Sequence, residues 1–223
     1  MKIFKYLISI AVTIAMLNVI AESPQTLEES ILTLQQEWAK VNYTLKDDEQ
    51  EEAFEALIKK AEQQVANFPN RAEPLIWQGI ILSSYAGATG GLDALSFAKL
   101  SRSALEQALK IDENALDGSA YTSLGTLYHK VPGWPIGFGD DDDAKVYLEK
   151  ALAINPDGID PNYFYGEYLY DEGEYQKAKQ VLEHALEAPE RPMRPLADSS
   201  RKVEIQALLV KVDKKLNKRR RRG

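Results

Sequence analysis

Apolar residues recur along most of this chain at three- and four-residue spacing, the period of one face of an α-helix. Between Thr26 and Pro69 they outline a pair of helices, with Ala53, Leu57, Ala61 and Val65 aligned on one side. Three later segments share an alanine-rich pattern: Leu105, Ala108 and Ile111; Ala144, Leu148, Ala151 and Ile154; Ala178, Leu182 and Ala185. Each follows a segment with a glycine near its middle, at Gly79, Gly125 and Gly166. From Asp198 to Lys218, Val203, Leu208, Val212 and Leu216 outline one more amphipathic helix, with Asp198 or Ser199 as its expected cap. Breakers fall where these helices should stop. Pro156 ends one, and Gly173 in Asp171-Glu172-Gly173-Glu174 ends another by taking a conformation other residues resist. Arg191-Pro192-Met193-Arg194-Pro195 reads as a linker. The pattern predicts an all-α fold.

The first two dozen residues follow a different pattern. Lys2 and Lys5 give a short positive start, the stretch from Ile3 to Ala21 is otherwise uncharged, and Glu22-Ser23-Pro24 breaks it. This order predicts a secretory signal peptide over residues 1–21, cleaved after Ala21, and a periplasmic or secreted protein. Retention as a single membrane anchor stays open, because the run is about long enough to cross a bilayer. Cleavage would remove two lysines and leave a more acidic chain.

The glycine-centred segments repeat in detail. One copy reads Tyr121-x-x-Leu124-Gly125-x-x-Tyr128, followed by Ala144, Leu148, Ala151 and Pro156. Another carries Tyr165-Gly166, Gly173, Tyr175, Ala178, Leu182 and Ala185, with Glu190 where proline is usual. A weaker copy has Gly79 and Ala108, with Gln78 for leucine and Ser101 for alanine. On these residues the chain resembles the tetratricopeptide repeat family, whose helix-turn-helix unit has that spacing. Tyr121 stands in for the family's tryptophan, and the first two copies carry insertions of about ten and about seven residues relative to that unit. The resemblance implies a right-handed superhelical solenoid of antiparallel helix pairs. It divides the chain into residues 22–70, an N-terminal pair and degenerate-repeat candidate; 71–190, the repeats; and 191–223, a linker, a capping helix and a basic tail.

In this family, ligand-facing residues often come from the first helix of each pair. Carried onto this chain, those positions are Thr122, Thr126, His129 and Lys130 in one copy and Tyr163, Glu167 and Tyr170 in the next. The insertions offer further candidates. Gly87-Ala88-Thr89-Gly90-Gly91 lacks the ending of a phosphate-cradling loop and reads as a flexible connection. The segment from Lys130 to Gly139 brings Trp134 and Phe138 into a loop stiffened by two prolines. Two readings of that loop stay open: it seals the solenoid's core, or it lines a ligand pocket. The run Asp140–Asp143 suits the start of a helix, with a calcium site as the alternative.

Charge and composition narrow the function. A net charge of −7 disfavours general nucleic-acid binding, which needs clustered basic charge. The basic charge that does cluster, Arg219–Arg222, suits weak contact with an anionic surface. With no cysteine and two histidines, neither a thiolate nor a transition-metal centre is expected, and no cofactor is implied. No nucleophile elbow, zincin motif or nucleotide fingerprint is present, so the chain reads as non-enzymatic. The leading expectation is a periplasmic binding or scaffold protein that recognises a protein or peptide. The alternatives are a solute-binding accessory subunit of an exported uptake system, using a pocket near Trp134 and Phe138, and a homo-oligomeric structural protein.

Overall fold

The computed structural model describes residues 25–220; the leader expected over residues 1–21 and the last two arginines of the tail lie outside them. The described residues form nine α-helices: α1 (Leu27–Thr44), α2 (Asp47–Asn67), α3 (Ala72–Thr89), α4 (Gly91–Ile111), α5 (Ala115–Lys130), α6 (Asp141–Ile154), α7 (Ile159–Asp171), α8 (Tyr175–Leu186) and α9 (Pro195–Arg220). No sheet forms among them.

Local chemistry sets the boundaries. Thr26 and Glu29 build a reciprocal cap at the start of α1, each side chain accepting from the other's backbone N–H at 3.2 and 2.9 Å. Asp140 caps α6 by accepting from Asp143 N at 3.0 Å, and Asp141, Asp142 and Asp143 fill the first turn, where exposed N–H groups favour carboxylates. Helix α6 stops before Pro156, and α7 stops just before Gly173, whose φ of 76° is left-handed. Two boundaries differ from expectation. The glycine-rich segment 87–91 is not a loop: α3 continues to Thr89 and α4 starts at Gly91, so the insertion lengthens helices around one turn at Gly90. Helix α9 starts at Pro195, whose fixed φ suits a first helical position, so Asp198 and Ser199 lie inside it.

The pairs α3–α4, α5–α6 and α7–α8 pack as three copies of one unit. In each, a glycine on the first helix receives a leucine from the second. A Cβ placed on Gly79 would lie 2.5 Å from Leu105 Cγ; on Gly125, 2.6 Å from Leu148 Cγ; on Gly166, 2.7 Å from Leu182 Cγ. All three leucines are at most 1% exposed. Each such burial contributes about 1.5–3 kcal/mol. In the first unit Ser101 takes the alanine position, and its hydroxyl donates to Gly79 O at 2.7 Å, so a polar side chain sits there fully buried and satisfied.

The buried residues form three core clusters bridged by partly buried side chains, Ile80 and Leu116 between the first two along the chain and Tyr128 between the last two. Helix α9 lies against α7 and α8 as a cap. The chain then closes on itself. Helix α9 also touches α1, and Ala197 belongs to the core cluster otherwise built from α1, α2 and α3. Gln36 Nε2 donates to Met193 O at 3.1 Å across this junction. The fold is a TPR-like solenoid with a C-terminal cap whose two ends meet.

The interlock makes a paired prediction. Gly125→Ala should destabilise the chain by about 1–3 kcal/mol, because Leu148 occupies the space of the new methyl. Gly87→Ala, in a helix where a Cβ meets nothing within 4 Å, should stabilise it by about 0.5–1 kcal/mol. Urea unfolding followed by circular dichroism checks both signs.

Candidate binding cavity

With its two ends in contact, the solenoid's inner face holds a half-open cavity of about 760 Å³. Its wall comes mostly from the odd-numbered helices and the segment before α9. Helix α5 contributes Ser119, Thr122, Ser123, Thr126 and Lys130, one stripe at helical spacing. Helix α3 contributes Trp77, Ile80, Ser83, Ser84 and Gly87. Helix α1 contributes Trp38, Asn42 and Tyr43, and α7 contributes Asp160, Pro161 and Phe164. Arg191 and Arg194 enter from the linker, Arg201 and Glu204 from α9.

One region of the wall is aromatic. The Trp38 ring meets Trp77 edge-on at 5.8 Å and Tyr43 at 5.5 Å. Trp38 Nε1 donates to Ser84 Oγ at 2.8 Å, which in turn donates to Ile80 O at 2.9 Å. Another region is a charge network centred on Asp160. Arg191 Nη1 reaches Asp160 Oδ2 at 2.8 Å and Arg201 Nε reaches Oδ1 at 3.0 Å. Arg191 also binds Asp198 through Nε at 2.8 Å, and Arg201 binds Glu204 through Nη1 at 2.6 Å. The Arg201 guanidinium lies 4.5 Å over the Tyr163 ring and 4.6 Å over Phe164.

The network divides its acids. Burial alone would raise Asp160, but Arg201, Arg191 and Arg194 outweigh it and hold this carboxyl well below the usual range. Glu204 moves the other way: burial, with Asp160 and Glu167 nearby, raises it despite Arg201. Burial and Arg191 together lower Arg194.

The residues expected from the sequence divide by location. Thr122, Thr126 and Lys130 lie in the cavity wall. His129 lies beside it, bridging Asp141 at 2.8 Å and Asp171 at 2.9 Å, while Lys130 joins Glu167 and Asp171 at 3.2 Å each. Partial burial would raise Asp171, yet the His129 hydrogen bond and Lys130 hold it below the usual carboxylate range. These contacts fasten α5, α6 and α7 together. Tyr163 sits beneath Arg201, and Tyr170 packs on Tyr175 at 5.5 Å beneath Lys215, so α9 covers both. Phe138 meets Tyr128 at 5.4 Å under Arg102, whereas Trp134 is 91% exposed, and neither lines the cavity.

Sequence reasoning missed Trp38, Trp77, Phe164, Asp160 and the three arginines. The two arginines beside the linker prolines gave no signal, because arginine is equally at home in a solvated linker. Asp160 lies in the first turn of α7, a position where an acidic side chain is common and gives no signal of its own.

Residues 136–192 match the tetratricopeptide repeat family and form a TPR-type repeat domain. No curated protein matches the chain. Among the described residues no group of three or more acidic or histidine side chains is arranged to hold a metal ion. The all-α, TPR-like architecture is that of an interaction scaffold.

The charge network predicts acid sensitivity. The Asp160 pKa is lower folded than unfolded, so its contribution is complete above the ordinary aspartate range and is lost as pH falls through and below about 4. Glu204, raised on folding, acts in the opposite sense over the ordinary carboxylate range and above. Asp160→Asn should therefore cost about 2–3 kcal/mol at pH 7, discounted because its side chain is 27% exposed, and should flatten the loss of stability between pH 5 and about 3. Denaturant titrations across that pH range measure both effects.

Proposed function

We propose that this chain is a non-catalytic, exported TPR-like binding protein that holds a small organic solute in the half-open cavity on its inner face. The observation that carries this reading is the junction of α1 with α9, which narrows into a half-open pocket a concave surface that an open solenoid would offer as a groove. Its volume of about 760 Å³ falls within the range of small-molecule sites, and its wall combines aromatic rings with a few convergent polar groups. An extended peptide needs an open channel along the first helices, and α9 lies over Tyr163 and Tyr170 on that path. Solute binding, the alternative among the sequence expectations, therefore fits better than peptide recognition, with the pocket on the inner face rather than beside Trp134 and Phe138. Export rests on the charge and apolar pattern of residues 1–21.

A second reading, contact with a protein partner, draws on Trp134 and Ile136. Their exposures of 91% and 69% leave apolar surface on a loop held by Gly137 N and Ile136 N donating to Gly133 O. The two readings concern different faces of the molecule.

The three tryptophans supply the assay. Two, Trp38 and Trp77, line the cavity, and Trp134 is outside it. In a Trp134→Phe background, tryptophan fluorescence reports the cavity alone. The neutral apolar fluorophore N-phenyl-1-naphthylamine should bind and quench that emission. Gly87→Phe, whose Cβ has free space in the wall, should weaken binding about tenfold or more without lowering the melting temperature. No binding by the parent, or equal binding by Gly87→Phe, would overturn the reading.

A further inference from the structure

The cavity wall carries four basic side chains, and three of them are matched. Lys130 pairs with Glu167 and Asp171, Arg191 with Asp160 and Asp198, and Arg201 with Asp160 and Glu204. Arg194 pairs with no carboxylate among the described residues. Its Nε is buried without a hydrogen-bond partner among the described residues, and so is the Nε1 of Trp77. The two side chains are neighbours: the Arg194 guanidinium carbon lies 5.4 Å from the Trp77 ring centroid. Buried polar atoms are normally satisfied, and two unanswered donors on neighbouring side chains form a local excess of one kind. The group that answers such an excess has acceptors only and carries negative charge, as an ionised carboxylate does.

The nearby acids do not fill that role. Asp160 in the wall and Asp198 behind it lie near enough to act on Arg194, but their oxygens already receive Arg191 and Arg201, and the wall's Glu204 receives Arg201. Asp157 pairs with His184. Asp117, also in the wall, is an exposed residue and its charge is solvated. The half-buried Arg194 is different: burial and the nearby Arg191 both work against its charge. An incoming anion relieves both.

Resting on the solute reading above, we propose that the ligand is a small carboxylic acid with an apolar, aromatic-compatible body, its carboxylate held by the planar fork of Arg194. The body then lies along Trp38, Trp77, Tyr43 and Phe164, which line the same space. Ligand oxygens reach the terminal nitrogens of Arg194, and a small side-chain shift brings the two occluded donors into the same contact. Arginine suits this role better than lysine, because its fixed fork matches two carboxylate oxygens at once.

The test compares 2-naphthoate, 2-naphthalenemethanol and 2-naphthyl phosphate by isothermal titration calorimetry. The wild-type chain should bind the carboxylate about tenfold or more tighter than the alcohol. Arg194→Gln should lose about ten- to hundredfold of carboxylate affinity, leave the alcohol and N-phenyl-1-naphthylamine unchanged, and keep its melting temperature within a few degrees. Arg194→Lys should recover only part of the loss. Equal affinity of the wild-type chain for acid and alcohol overturns the proposal without any variant, so a folding defect in Arg194→Gln does not shelter it. Tighter binding of the phosphate than of the carboxylate also overturns it. In both cases continued N-phenyl-1-naphthylamine binding leaves the solute reading standing; failure of all four probes removes both.

Discussion

The close approach of paired helices at Gly79, Gly125 and Gly166 is the constraint on which the rest of this structure depends. Each glycine gives up its side chain so that a leucine from the partner helix can sit against bare backbone. Helices that meet this closely bury their leucines completely and fix the crossing of each pair, so successive pairs stack in one repeated geometry. The contact tolerates very different connections. Its two residues are separated by a short helical turn in α7–α8, by the Trp134 loop in α5–α6 and by helical extension in α3–α4. The insertions change what lies between the helices and leave their interlock intact.

Stacking alone would leave a groove, and a second interaction makes it a cavity. Helix α9 caps the last pair and then reaches α1, bringing Arg201 and Glu204 to face Tyr43 and the start of α7. Buried ion pairs offset a large desolvation penalty rather than adding much net stability. Their effect here is positional. Asp160 accepts from the linker and from α9 together, so the linker is held against the wall rather than left in solvent. An apolar substitute would pack without this directional constraint. The same arrangement places more guanidinium groups at the wall than it satisfies, which gives the cavity a chemical bias as well as a shape.

Much of the fold was legible in the sequence, because helical periodicity, glycine positions and breakers are local signals. The third copy, from Gly166 to Ala185, carries the repeat spacing uninterrupted, and the helix ends at Pro156 and Gly173 fall where those residues demand. The cavity was less legible. Applying the first-helix rule to α5 reaches its wall at Thr122, Thr126 and Lys130, because that helix faces inward as the rule supposes. Applying it to α7 selects Tyr163, Glu167 and Tyr170. The two tyrosines lie about 60° or more round the helix from Asp160 and beneath α9. Glu167, on nearly the same side as Asp160, pairs with Lys130 and does not line the cavity. Trp38 and Trp77 stood in segments with no functional pattern. Their role depends on the meeting of the chain's ends, a contact between residues far apart in sequence that no local spacing encodes.

The backbone is strained at the start of α5. Leu116, Asp117 and Gly118 are successive residues in left-handed conformation, at φ 49°, 55° and 73°. For the two with side chains this costs about 1–2 kcal/mol each. Packing supplies the compensation: Leu116 touches both the N-terminal core cluster and the one between α3 and α5. At Gly118 a Cβ would meet Ile154 at 3.0 Å, so close approach and positive φ both require glycine there. The three residues form a kink immediately before Ser119, and from that point Ser119, Thr122, Ser123 and Thr126 follow along the cavity wall. The strained turn therefore sits where the helix that carries the hydroxyl stripe begins.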